Sequence, residues 1–142
     1  MGLRRSWWIS FFGVPHGLVG RVGARLMTRV SRPFSQAMAA ELELQPSDEL
    51  LDVGCGSAGL LVDHAAHVRY VAGLDASELQ ISMARKRLAE RVATGTAEIV
   101  LGDAGTLPWD DERFSVVTSV NALKFVPDPG QALREIHRAL RP

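Results

Sequence analysis

The chain has 142 residues, 46% of them hydrophobic and 23% charged, and its sixteen Lys/Arg balance sixteen Asp/Glu. That make-up belongs to an ordinary folded protein of one domain at most, with enough apolar content to bury a core. A single cysteine, Cys55, excludes an internal disulfide and fits a reducing, cytoplasmic setting, and no apolar run approaches the ~20 residues of a membrane-spanning helix.

The zero net charge conceals two opposed parts. Before Glu41 there are six arginines and no acid, so that stretch carries +6; the remaining ten Lys/Arg face all sixteen acids, which leaves −6. Residues 1–45 therefore read as a basic, aromatic helical arm able to fold back over an acidic body, residues 46–142. Residues 1–17 are irregular, broken by Gly13, Pro15 and Gly17. Arg4-Arg5 ahead of Trp7–Val14 has a loose likeness to a signal peptide, but no small-residue cleavage site follows. From Leu18 to Val30 the apolar residues Leu18, Val22, Leu26 and Val30 recur beside a row of Arg21, Arg25 and Arg29. This predicts a surface helix packing its apolar row on the domain, with a helix lying on an anionic membrane as the alternative. A second helix is expected from Pro33 to about Leu44, and Gln45-Pro46-Ser47-Asp48 turns the chain into the body.

In the body, Leu50–Val53 reads as a buried strand that runs into Gly54-Cys55-Gly56-Ser57-Ala58-Gly59, a turn that lets backbone approach a small ligand. Residues 59–66 look helical, Val68 to Leu74 extended, and Asp75 closes that second strand. Ser77-Glu78-Leu79-Gln80 is a capping box that opens a helix to about Arg91, with Leu79, Met83 and Leu88 on its inner face. Ala97 to Leu101 is a third strand, followed by Gly102-Asp103. Phe114 to Val120 is a fourth, apolar enough to be covered on both faces. Asp128-Pro129 starts a last helix whose buried row would be Leu133, Ile136 and Leu140. The alternation predicts an α/β fold, a doubly wound parallel sheet with right-handed crossovers.

Acids at the ends of successive strands converge on the edge where such sheets bind ligands. Asp75, 21 residues after Gly54, lies at the distance at which an acid meets the ribose hydroxyls of a bound adenosine; the competing reading is a helix-capping Asp. Asp103 can accept from an adenine amine or be an ordinary turn residue. Asp52 is an acid inside an apolar strand, costly to bury without amides or a cation. A cationic ligand resolves that cost and a pyrophosphate aggravates it, so the sign of Asp52 favours S-adenosylmethionine over a nicotinamide dinucleotide.

Asp52-Val53-Gly54-Cys55-Gly56-Ser57, Gly73-Leu74-Asp75-Ala76-Ser77, Gly102-Asp103-Ala104 with Leu107-Pro108-Trp109, and Asn121 to Asp128 after the fourth strand together resemble the class I, seven-stranded S-adenosylmethionine-dependent methyltransferases. The likeness covers roughly residues 48–142, and Arg134–Pro142 is similar to the helix that leads to the family's fifth strand. It implies a Rossmann-like methyltransferase fold, incomplete at the C-terminus, with S-adenosylmethionine as cofactor. By resemblance Gly54 and Gly56 lie beneath the methionine part, its ammonium facing Asp52 and its carboxylate taking loop amides. Asp75 meets the ribose, Asp103 and Ala104 flank the adenine, and Asn121 lines the methyl end; Cys55 and Ala76 complete the cofactor set. Ala58 stands where a third glycine is common. No catalytic residue is assigned. His64 and His67 are read as solvent-facing, His137 as surface, Lys124 as near the site, and no cluster suggests a metal.

The expected activity is methyl transfer to a small-molecule acceptor that the sequence does not identify. The absent strands lead us to expect a truncated or degenerate enzyme of low activity, with an exposed fourth-strand edge open to self-association. The alternatives are a non-catalytic interaction module retaining the fold and a nicotinamide-dependent oxidoreductase. No nucleic-acid partner is expected, since nothing beyond the basic arm points to one.

Overall fold

The structure, a computed structural model, describes Leu26, Val30, Pro33, Ala37 and residues 40–142. The segment 1–17 and most of the two N-terminal helices lie outside the described residues. Leu26 and Val30, two members of the apolar row expected to pack on the domain, are helical and exposed, and the second helix stops at Glu41 rather than Leu44.

Four strands build the body: β1 (Glu49–Val53), β2 (Tyr70–Asp75), β3 (Ala97–Leu101) and β4 (Val116–Thr118). All pair in parallel, in the order β3-β2-β1-β4. Between them run α1 (Gly59–His64), a 3₁₀ turn (Ala65–His67), α2 (Glu78–Arg87) and α3 (Ala89–Ala93); after β4 come a 3₁₀ turn (Leu123–Phe125) and α4 (Pro129–Ala139). β1 is central and wholly buried, so its side chains alternate between two cores. Leu50 joins Val71, Ile99, Leu61 and Ile81 on one face, while Leu51 and Val53 join Ala72, Leu74, Phe114 and the alanines of α4 on the other. Helices on both faces of a parallel sheet make this the expected doubly wound fold, Rossmann-like in its layers.

Four local expectations are corrected. The helix opened by Ser77 breaks at Leu88 (φ −107°, ψ 19°) into α2 and α3, and its inner face is Ile81, Ala84 and Leu88, with Leu79 and Met83 only half-buried. β4 is shorter than Phe114 to Val120 and half-buried at Val116 and Val117, because among the described residues it has a neighbour along its length only in β1. Its approach is still held: Phe114 bridges Leu140, with N–H groups exchanged to Ala139 and from Arg141. In α4 the buried residues are Ala132 and Ala139, with Ile136 packed beside them, and Leu133 is exposed. Small alanines let the helix sit close on Leu51 and Phe114, and that phase turns Leu133 outward.

Candidate functional site

Parallel strands put all four C-terminal ends on one edge, and the turns leaving it carry the residues singled out above. Asp52 is the penultimate residue of β1, buried, and in register with Gly73 on one side and Thr118 on the other. The Thr118 hydroxyl donates to Asp52 Oδ1 at 2.9 Å. Burial pushes the Asp52 carboxyl up to about 7 against that hydrogen bond, and the charge of Asp75 adds to the rise. Among the described residues no cation pairs with it.

The turn beyond β1 folds across the end of β2. Gly54 and Cys55 N–H groups both donate to the Leu74 carbonyl, at 2.7 and 3.0 Å. Gly54 sits at φ +78° and Gly56 at φ +54°, and a Cβ at position 54 would collide with the Ala122 methyl from the loop after β4. Glycine is required there both for conformation and for space. Ala58, the residue in place of a third glycine, adopts the same left-handed region (φ 61°, ψ 36°) and caps α1 while fully buried. The Cys55 thiol packs against Gly73, where a Cβ would lie 2.8 Å from the sulfur. Burial and the charges of Asp52 and Asp75 push its pKa well up, so it stays a protonated thiol.

Asp75 receives Gly56 N–H on Oδ2 and Ser77 N–H on Oδ1, both at 2.9 Å. Burial raises its carboxyl and those two amides oppose the rise. The carboxylate thus locks turn to strand, and each oxygen keeps a second lone pair. These contacts limit one expectation: the N–H groups of Gly54, Cys55, Gly56 and Ala58 are all engaged within the protein. A ligand carboxylate would have to find its donors elsewhere in the turn.

Next to Asp75, Ala76 is exposed. Asp103 is exposed and accepts Gly105 N–H at 2.6 Å, a local turn bond, above buried Ala104. Its loop is fastened to α4 by residues the sequence reading did not pick out. Glu135 accepts Leu107 N–H at 2.8 Å, Arg138 donates to the carbonyls of Leu107 and Trp109, and Gln131 reaches Gly105. Asn121 is exposed at φ 58° in the loop that abuts Gly54. Lys124 is exposed, its ammonium 5.2 Å from the Phe125 ring centre. His67 and His137 are exposed as expected, but His64 is half-buried, its Nε2 has no partner, and burial lowers its pKa. Tyr70 begins β2 on the opposite edge, its hydroxyl donating to Glu98 and its pKa pushed up to about 12.

A model of the methyltransferase domain matches residues 51–142. A demethylmenaquinone methyltransferase of Symbiobacterium thermophilum is 35% identical over 112 residues, covering 77% of this chain and 45% of that protein. Cycloartenol-C-24-methyltransferase 1 of Oryza sativa is 33% identical over 106 residues, 74% of this chain and 31% of that one. Among solved structures, a SAM-dependent methyltransferase from Thiobacillus denitrificans in complex with S-adenosyl-L-homocysteine matches with a TM-score of 0.62 at 25% identity, over 76% of this chain and 44% of the other. The chain spans between about a third and just under half of the curated relatives it matches.

Proposed function

The chain belongs to the class I S-adenosylmethionine-dependent methyltransferases, and from that premise we propose that its β1–β2 rim binds S-adenosylmethionine for transfer of a methyl group to a small-molecule acceptor. The observation that carries the reading is the buried Asp52 carboxyl, pushed up to about 7 by burial and, among the described residues, without a cation beside it. A cationic amino-acid group complements that carboxyl in charge, and Gly56, at positive φ, presents bare backbone in the turn beyond β1.

When bound, the cofactor supplies a methyl group carried on positively charged sulfur. Asp52 provides the counter-charge, and Thr118 holds one of its oxygens in place. Asp75, fixed by Gly56 and Ser77, offers its remaining lone pairs to the ribose hydroxyls. Asp103 and Ala104 flank the adenine on a loop that Glu135 and Arg138 hold against α4. Cys55 packs as an inert thiol beneath the turn, Ala76 borders the ribose, and Asn121 faces the methyl end. Methyl displacement needs alignment more than proton transfer, so no catalytic base is assigned. Relatives named for demethylmenaquinone and cycloartenol support an apolar acceptor, as does the exposed ring of Phe125 just beyond Asn121. A cytoplasmic setting belongs to the same proposal, supported by the free thiol of Cys55.

Calorimetric titration with S-adenosylhomocysteine and with NAD tests the reading. The first should bind, and Asp75→Ala should weaken it roughly 10- to 100-fold, as expected for losing hydrogen bonds to a charged group. Preferential binding of NAD, or an Asp75→Ala variant with unchanged affinity, overturns it. The nicotinamide reading lacks a supporting observation: the buried Asp52 opposes a pyrophosphate, and Tyr70 is on the wrong edge.

A further inference from the structure

We infer that Thr118 is a positioning residue for the ligand's cationic group: its hydroxyl switches between the Asp52 carboxyl and the Leu51 carbonyl, coupling ligand binding to release of a proton from Asp52; this rests on the cofactor reading above. Thr118 is buried at the last position of β4, opposite Asp52 in the β1–β4 register. Its Oγ1 lies 2.9 Å from Asp52 Oδ1 and 3.3 Å from the Leu51 carbonyl oxygen. A hydroxyl carries one hydrogen and cannot serve two acceptors at full strength. Among the described residues, no other donor reaches the Asp52 carboxyl.

The two acceptors correspond to two protonation states. When Asp52 is ionised, Thr118 donates to Oδ1, a charge-assisted bond and the shorter of the two contacts. When Asp52 is protonated, its O–H can donate to Thr118 Oγ1, and the threonine hydrogen turns to Leu51. The hydroxyl thus has a partner in both states. What faces the carboxyl sets the balance between them. Asp75 at the end of β2 opposes its charge, the protonated Cys55 thiol of the turn offers no counter-charge, and Gly73, its register neighbour, has no side chain. Burial adds to this and pushes the carboxyl up to about 7. Near neutral pH the site is therefore partly protonated. To pair with an ammonium, Asp52 gives up its proton to solvent, and the Thr118 hydrogen swings from Leu51 to Oδ1 and fixes the carboxylate.

Calorimetry of S-adenosylhomocysteine binding to the full chain, in buffers of different ionisation enthalpy, counts the proton. Roughly one proton per ligand should be released at pH 6 and almost none at pH 8, with binding about tenfold tighter at the higher pH. Methylthioadenosine, which lacks the ammonium, should bind without release, and Asp52→Asn should bind S-adenosylhomocysteine without release. Thr118→Val keeps the shape and removes the hydroxyl, which favours the protonated carboxyl. It should bind S-adenosylhomocysteine roughly three- to fivefold more weakly than the parent at pH 7, with the gap closing by pH 9. Thr118→Ser should keep the parental profile. No release by the parent at pH 6 overturns the inference, as does release that survives in Asp52→Asn or with methylthioadenosine. So does a Thr118→Val affinity that is parental, or weaker by one factor at every pH, which would make Thr118 a packing residue. Failure of the parent chain to bind S-adenosylhomocysteine at either pH would instead bring down the cofactor reading itself.

Discussion

Two buried carboxylates three residues apart on β1 have opposite surroundings. Glu49, at the N-terminal end, is met by Arg69, Arg113 and Arg141, and these guanidinium groups hold its carboxyl below the usual range although burial works the other way. Arg113 also lies over the rings of Tyr70 and Phe114, 4.9 and 5.2 Å from their centres. Asp52, at the C-terminal end, has a hydroxyl and another acid for company, and its pKa rises to about 7. One end of the strand is satisfied by arginines of the chain; at the other, under the proposed function, the cationic part of the cofactor would supply the partner. The same sheet is thus fastened at one edge and held in deficit at the other, as expected where stability is given up for a site.

Breaking the fastened end should cost most. Glu49→Gln leaves three guanidinium groups facing a neutral amide, and the loss should be about 2–3 kcal/mol, allowing for the solvent exposure of the arginines. Because the native pKa of Glu49 is depressed, its contribution is present above the unfolded value near 4.5 and is lost as pH falls below it. Urea melts at pH 7 and pH 3 should therefore separate parent from variant at the higher pH and bring them together at the lower.

At the other end the sign reverses. The folded pKa of Asp52 lies above its unfolded value of 3.8, so the parent loses stability as pH rises from about 4 to about 7 and stays level above that. Asp52→Asn should abolish this slope, stabilise the ligand-free chain at pH 8 by on the order of 1–3 kcal/mol, and weaken a cationic ligand. Thermal melts across that range check the first effect and calorimetry the second. The smallest change sharpens the comparison at the turn. Ala58→Gly relieves a left-handed alanine, about 1 kcal/mol, and removes a buried methyl, about 0.8 kcal/mol, so its melting temperature should stay within about 2 °C of the parent.

Much of this was legible in the sequence, because local chemistry and chain order specify it. Strand–helix alternation gave the parallel sheet, Ser77 and Asp128 marked their helix starts, and acids at successive strand ends foretold a common edge. What escaped depends on contacts between distant residues. Arg141 meets Glu49 from 92 positions away, and Thr118 finds Asp52 only through the β1–β4 register. The phase of α4 was misjudged because hydrophobicity ranks Leu133 above Ala132 and Ala139, whereas close packing on Phe114 favours the smaller residues. Gln80 was read as half of a cap, and no local rule announces that Asp75 will take its place.

The contact between Gly54 and Ala122 has a mechanical corollary. The turn that closes β1 and the loop that follows β4 share a wall with no space for even one extra carbon between them. Any side chain at position 54 would therefore have to push the loop that carries Asn121 outward, so the side of the rim that would face an acceptor is shaped by the same glycine as the side that would face the donor.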